Sequence, residues 1–168
     1  MKILGIDPGY AIVGYGAIEY EKSSFRVIDY GAITTPAKTD PSLRLEMIYD
    51  SLNSLIDKVK PEAMAVEELF FNNNQKTAIM VAQARGIIVL AARKKGLQLA
   101  EYTPLQVKQA VVGYGRAEKK QVQTMTTMLL GLKEVPKPDD TADALAIAIC
   151  HAHTGQSKIS QYYNKQTF

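Results

Sequence analysis

Three β-prone runs precede any helical periodicity in this chain: Lys2–Ile6, Ile12–Ile18 and Phe25–Ile33. Each has strand length, and Pro8-Gly9 turns the chain after the first. In succession they predict an antiparallel meander of three strands. An amphipathic helix follows from Ser42 to Val59, where Leu43, Leu45, Met47, Ile48, Leu52, Leu55, Ile56 and Val59 recur near helical spacing, and Pro61 ends it. Ala63–Val66 is a fourth strand, Lys76–Lys95 a long helix stopped by Gly96, and Leu97–Tyr102 a fifth strand. Helices are expected over Pro104–Val111, Glu118–Leu130 and Asp139–Ala152. The order βββαβαβ, then helices, predicts an α/β fold: a mixed five-stranded sheet with helices on both faces. We expect one domain over residues 1–153. The polar, aperiodic segment 154–168 is expected to be a disordered C-terminal tail.

A length of 168 residues suits one domain with a sizeable core. No run of 18 apolar residues occurs, so no transmembrane helix is expected. Asp7 stands where a signal peptide needs apolar residues, so no export signal is expected. The single cysteine, Cys150, lies in an apolar run and is expected to be a buried, inert thiol. These features fit a cytoplasmic protein. Charge is unevenly spread. Residues 1–68 carry 7 Lys and Arg against 11 Asp and Glu, whereas residues 69–168 carry 13 against 6. A basic half points to an anionic partner for one face, nucleic acid being the commonest.

The acids have a pattern. Asp7 ends the first strand, in an otherwise apolar run. Glu67, with Glu68 beside it, ends the fourth. If strands one and four are neighbours, these ends converge. Asp140 and Asp143 are three apart on one helix and share a face. Asp139 fits better as a solvated acid favoured by the helix N-terminus. Four carboxylates meeting at one point would repel unless a hard cation lay between them, and oxygen-only ligands select Mg²⁺ or Mn²⁺ over zinc. Two such ions can activate a water and stabilise the leaving oxygen of a phosphodiester.

The motifs Ile6-Asp7-Pro8-Gly9 with Gly14-Tyr15-Gly16, Val66-Glu67-Glu68-Leu69-Phe70 and Ala82-Gln83-Ala84-Arg85-Gly86 resemble the RuvC family. So do Gln106-Val107-Lys108-Gln109, Val112-Gly113-Tyr114-Gly115, Ala117-Glu118-Lys119, Gln121-Val122 and Asp140-Thr141-Ala142-Asp143-Ala144-Leu145-Ala146. The likeness runs in order from about residue 3 to 153. It implies an RNase H-like fold and a homodimeric endonuclease that resolves Holliday junctions by symmetric paired nicks, in recombination and repair. It assigns catalysis and Mg²⁺ binding (one or two ions, with Mn²⁺ as a substitute) to Asp7, Glu67, Asp140 and Asp143. Glu67 rather than Glu68 matches the family pattern. A branch-migration helicase complex is an implied partner, and no membrane is.

Phe70 and Phe71 follow Glu67 in a loop with Asn72, Asn73 and Asn74. Aromatics in a polar loop suit either stacking on an unpaired base or anchoring the loop in the core; the resemblance puts the stacking residue at Phe70. Lys108, Arg116, Lys119 and Lys120 surround Gly113-Tyr114-Gly115 and are candidate phosphate contacts. The resemblance singles out Lys108 and Lys119, and Lys119 is also a candidate to stabilise charge on the cleaved phosphate. His151 and His153, two apart on one helix, are not expected to share a site. The helix Lys76–Lys95 is apolar nearly all round, which predicts either complete burial in one subunit or a two-fold dimer contact.

Three other readings compete. Gly5-Ile6-Asp7-Pro8-Gly9 also resembles the phosphate loop of actin-like and sugar-kinase ATPases, but the second glycine loop is missing. An RNase H-like nuclease for another structured nucleic acid is closer. A non-catalytic junction-binding protein is disfavoured, because clustering four carboxylates is costly without a metal.

Overall fold

The computed structural model describes residues 1–68 and 75–155. Five strands, β1 (Lys2–Asp7), β2 (Ile12–Glu21), β3 (Ser24–Thr34), β4 (Ala63–Glu67) and β5 (Gln98–Tyr102), form one sheet in the order β3-β2-β1-β4-β5. The first three make the expected antiparallel meander; β4 and β5 add parallel to β1. Each expected strand is present. The β2–β3 hairpin is longer than its apolar pattern, reaching Glu21 and Ser24, because its exposed tip needs no buried side chains.

Helices α1 (Pro41–Val59) and α2 (Gln75–Lys94) cover one face of the sheet; α3 (Pro104–Val112), α4 (Lys119–Leu129) and α5 (Asp139–Thr154) lie on the other. Two cores result. Leu4, Ile6, Val13, Met64 and Val66 pack on α1 and α2, while Ile3, Ile18, Ala65, Ala100 and Tyr102 pack against α3 to α5. Side chains alternate across a strand, so Asp7 shares the α5 face with Ile3 and Gly5, and Glu67 shares it with Ala63 and Ala65.

Local chemistry sets the helix ends. Asp40 caps α1 by accepting from the amides of Ser42 and Leu43, with Pro41 in the first turn. Thr103 and Gln106 form a reciprocal capping box at α3, and Gly113 closes that helix at φ 94°. Gly96 follows α2 at φ 70°, a conformation that favours glycine.

Three expectations need correction. In α1 the helical pattern placed Leu43 inward. The structure leaves it 48% exposed and buries Arg44 instead, because Arg44 finds carbonyl and hydroxyl acceptors beneath the helix. The helix α2 is not buried within one subunit. It packs Ala84, Ile88, Ala91 and Ala92 inward and leaves Ile79, Met80 and Leu90 on the outside. The last helix continues past 153 through Thr154, whose hydroxyl donates to the Cys150 carbonyl at 2.6 Å. The expected tail beyond it falls, from residue 156 on, outside the described residues. Among the described residues no helix is long and apolar enough to cross a membrane.

Helix α5 is the centre of the molecule. It is buried on nearly every side from Thr141 to Ala152, between the sheet and α3 and α4. Glycines in β1 and β2 let it sit directly on the strands. A Cβ at Gly5 would lie 2.1 Å from the Ala144 carbonyl oxygen, and one at Gly14 2.0 Å from that of Asp140. No side chain fits there, so these positions admit only glycine while α5 stays in place. Cys150 is fully buried, as expected, and burial pushes its thiol up to about 12.

Candidate functional site

The register of the sheet brings the acids together. Asp7 ends β1 opposite Gly14 of β2, and Ile6 pairs in parallel with Val66, so Glu67 ends the adjacent strand beside Asp7. Gly14 accepts the backbone of Asp140 against that same strand end. Asp143, one turn further along α5, comes over the same place. Four carboxylates from β1, β4 and α5 therefore face one another across the C-terminal edge of the central strands.

Their electrostatics record the crowding. Burial, then the charges of Glu67, Asp143 and Asp140, push the Asp7 carboxyl up to about 8, and the Lys119 ammonium only partly offsets this. Burial followed by the Asp143 charge raises Glu67 above the ordinary range. Asp143 is raised by burial, against a lowering hydrogen bond from Lys119. Lys119, in the first turn of α4, donates to Asp143 Oδ2 at 2.8 Å and stands 3.7 Å from Asp139, and the Asp143 hydrogen bond raises its own pKa. Asp139 is held by Lys137 at 2.6 Å, which lowers its pKa, and lies to the side with its side chain nearly half exposed. That matches the expectation of a solvated acid at a helix start.

Beside the acids lies a cavity of about 240 Å³, lined by Glu67, Lys108, Lys119 and Asp143 and walled by Val107 and Val122. Lys108 and Lys119 thus both line it. Arg116 and Lys120 are exposed nearby and do not line it. Phe70 lies outside the described residues. Glu68 donates its backbone amide to the Tyr102 carbonyl, and its charge is absent from the groups that perturb Asp7. His151 and His153 serve separate ends: His151 is buried and meets the Tyr102 hydroxyl at 2.8 Å, while His153 meets the Ala110 carbonyl at 3.1 Å.

The donor set fits a hard divalent cation. It is all oxygen, and burial followed by the neighbouring carboxylate charges raises the Asp7 carboxyl, the setting in which a divalent cation would favour the charged form. As they stand, no three acidic, histidine or cysteine side chains among the described residues close into a ligand cage, and Lys119 donates to Asp143. Sequence reasoning placed Gly14 in a motif but missed its contact with Asp140, and it missed Arg44 altogether. Gly14 carried a signal, as a glycine in a β-rich run is often a place of close backbone approach. Arg44, one polar residue between two leucines, carried none.

Comparison with known proteins identifies the family. The family model described as "Crossover junction endodeoxyribonuclease RuvC" matches residues 3–151. A protein of that name from Clostridioides difficile strain 630 is 61% identical over 93% of this chain and 92% of its own length. One from Moorella thermoacetica is 61% identical over 90% and 91%. Thermus thermophilus RuvC in complex with a Holliday junction substrate superposes with a TM-score of 0.88 at 36% identity, covering 93% of this chain and 95% of the other. A yeast mitochondrial Holliday junction resolvase, Ydc2, shares the fold at 17% identity and a TM-score of 0.69. With a family match over nearly its whole length and relatives at this identity, the chain belongs to the RuvC family of crossover junction endodeoxyribonucleases.

Proposed function

We propose that this protein resolves Holliday junctions by metal-dependent hydrolysis of one phosphodiester in each of two opposed strands, acting as a homodimer. The observation that carries the reading is the convergence of Asp7, Glu67 and Asp143 beside Lys119 at the edge of the sheet. Asp7, Glu67, Asp140 and Asp143 would hold one or two Mg²⁺ ions, with Mn²⁺ able to substitute. Bound there, the metal supplies an activated water and charge to stabilise the leaving oxygen.

The chain's own groups do the rest. Lys119, beside Asp143, would supply positive charge to the phosphate being cleaved. Lys108, which lines the cavity, with Arg116 and Lys120 outside it, binds backbone phosphates and orients the strand. Phe70 stacks on a base freed at the junction centre. Two copies joined through the outer face of α2 would present two such sites to a roughly two-fold substrate, which accounts for paired nicks. A branch-migration helicase complex is the expected partner and the cytoplasm the expected location.

The deciding experiment is incubation with a labelled four-way junction, a linear duplex and an RNA hairpin, with and without Mg²⁺. Symmetric nicks in the junction alone, only with Mg²⁺, support the reading. Preferential cutting of the RNA would favour a nuclease for another structured nucleic acid, and junction binding without cutting a non-catalytic role.

A further inference from the structure

Immediately after Asp7 the chain makes the turn Pro8–Ala11, and its polar groups divide into two sets. The carbonyls of Tyr10 and Ala11 face inward, toward Thr35. The Thr35 amide donates to the Ala11 oxygen at 2.9 Å, and the Thr35 hydroxyl lies 3.2 Å from the Tyr10 oxygen and 3.3 Å from that of Ala11. The amides of Gly9, Tyr10 and Ala11 donate to nothing among the described residues. In a trans peptide the N–H points opposite the carbonyl of the same unit, so with the Tyr10 carbonyl on Thr35 the Ala11 amide points away from it. Ala11 is exposed, and Gly9 and Tyr10 are half-buried.

Beneath this turn sits a buried cation. Arg44 is 6% exposed and forms no ion pair among the described residues. One guanidinium nitrogen donates to the Thr35 hydroxyl, and the other donates to the Pro36 carbonyl at 2.6 Å. Its Nε has no partner. The guanidinium lies 4.6 Å from the centroid of the Tyr10 ring. A buried, uncompensated positive charge is costly, and is retained where it serves an anion or fixes a loop. Here it fixes a loop: it holds Thr35, whose hydroxyl and amide meet the Tyr10 and Ala11 carbonyls, and its positive charge lies beside the Tyr10 ring of the turn.

We propose that the β1–β2 turn is a seat for a backbone phosphate of the bound DNA strand, made by the amides of Gly9, Tyr10 and Ala11, with Arg44 as its positioning residue. Consecutive free amides form an anion-binding concavity without any side chain. Because the turn begins one residue after Asp7, the phosphate it holds is a near neighbour of the one cleaved. The seat would set the register of the strand over the carboxylates independently of base sequence. This inference rests on the DNA-cleaving function proposed above.

The test is binding of four-way junctions without divalent metal, each junction bearing one neutral methylphosphonate in place of a phosphate. Wild-type protein should lose about 10-fold in affinity at one position close to the cleavage site, the size of one charge-assisted hydrogen bond. A protein with lactic acid in place of Ala11, an ester lacking that single N–H, should lose a similar factor on the unmodified junction. At that position it should lose nothing further, while other positions behave as in wild type. Arg44→Lys, which keeps the charge but not the fork, should show the same pattern. If Arg44→Lys does not fold, the ester decides alone, since it leaves every side chain in place. Losses that multiply at that phosphate, or an ester that binds as tightly as wild type, would overturn the seat while leaving the nuclease function intact. A wild type with no affinity for the junction would overturn the parent function as well.

Discussion

Gly14 and Asp140 form one unit: the space of a missing side chain on β2 is filled by the backbone that carries a carboxylate of the site. A Cβ at Gly14 would stand 2.0 Å from the Asp140 carbonyl oxygen and 3.0 Å from the Asp140 Cβ. Gly14 is also the register partner of Asp7. Asp140 is thereby set against the strand end that carries Asp7. Gly14→Ala should force the start of α5 away from the sheet, costing about 1–3 kcal/mol as overpacking does. Junction cleavage should fall by roughly 100-fold, the scale of an ångström-level misplacement, while junction binding stays near wild type. Thermal melting with a cleavage assay checks this; wild-type cleavage would show that α5 can shift without moving the site.

Asp7→Asn should bind junctions and fail to cut them. It should also change stability with pH. The folded-state pKa of Asp7 is raised, from 3.8 to about 8. A group raised in this way contributes stability that is complete below the unfolded value and is lost as pH rises through the folded value. Metal-free protein should therefore weaken between about pH 4 and pH 8, by on the order of a few kcal/mol. Asn cannot ionise, so the variant should be the more stable at pH 8, and Mg²⁺ should narrow the gap by stabilising wild type. Melting curves at pH 5 and pH 8 measure both effects.

Lys119→Ala separates two roles. The ammonium donates to Asp143 at 2.8 Å. Its loss should let Mg²⁺ bind at lower concentration, because a competing cation is gone, while the maximal cleavage rate drops by roughly 100-fold. A mere phosphate contact would instead reduce the salt slope of binding by about one and leave the rate on bound junction unchanged. Mg²⁺ titrations under single-turnover conditions distinguish the two.

His151 should govern acid stability. Burial lowers its pKa from 6.5 to about 4, so it stays neutral in the folded protein. Its contribution is present above pH 6.5 and is lost as pH falls through the folded value, amounting to about 3 kcal/mol. His151→Gln should lower stability at pH 7 through the lost contact with Tyr102, yet show a flatter decline between pH 6.5 and pH 4. Urea melts across that range read the slope.

The outer face of α2 tests the dimer. Ile79→Asp and Leu90→Asp alter residues 61% and 49% exposed, so each should leave the folded chain within about 0.5 kcal/mol. Both should give monomers that no longer make paired nicks. Ile88→Asp should instead unfold the protein, because Ile88 is fully buried in the core under α2. Sedimentation with analysis of nick pairing settles this, and a wild type that nicks in pairs as a monomer would defeat the dimer.

Much of the molecule is written in local chemistry. The period of the apolar residues determines which segments are strands and helices, and Pro, Gly and capping residues determine where they stop. That is why each of the five strands and five helices among the described residues was legible. The acids were legible too, because a carboxylate ending an apolar strand, or repeated three apart on a helix, has few structural uses. Tertiary structure decided what depends on distance across the sheet. No periodicity tells that a missing side chain at Gly14 receives Asp140, or that Lys119 reaches Asp143. Nor does the sequence distinguish the inner stripe of α2 from its outer one, since apolar residues occupy both. Arg44 is the plainest case: it reads as a surface residue, and only the packed fold supplies the acceptors that let its charge be buried under the turn after Asp7. Pattern records what each residue prefers on average, and burial of a charge depends on partners that folding alone assembles.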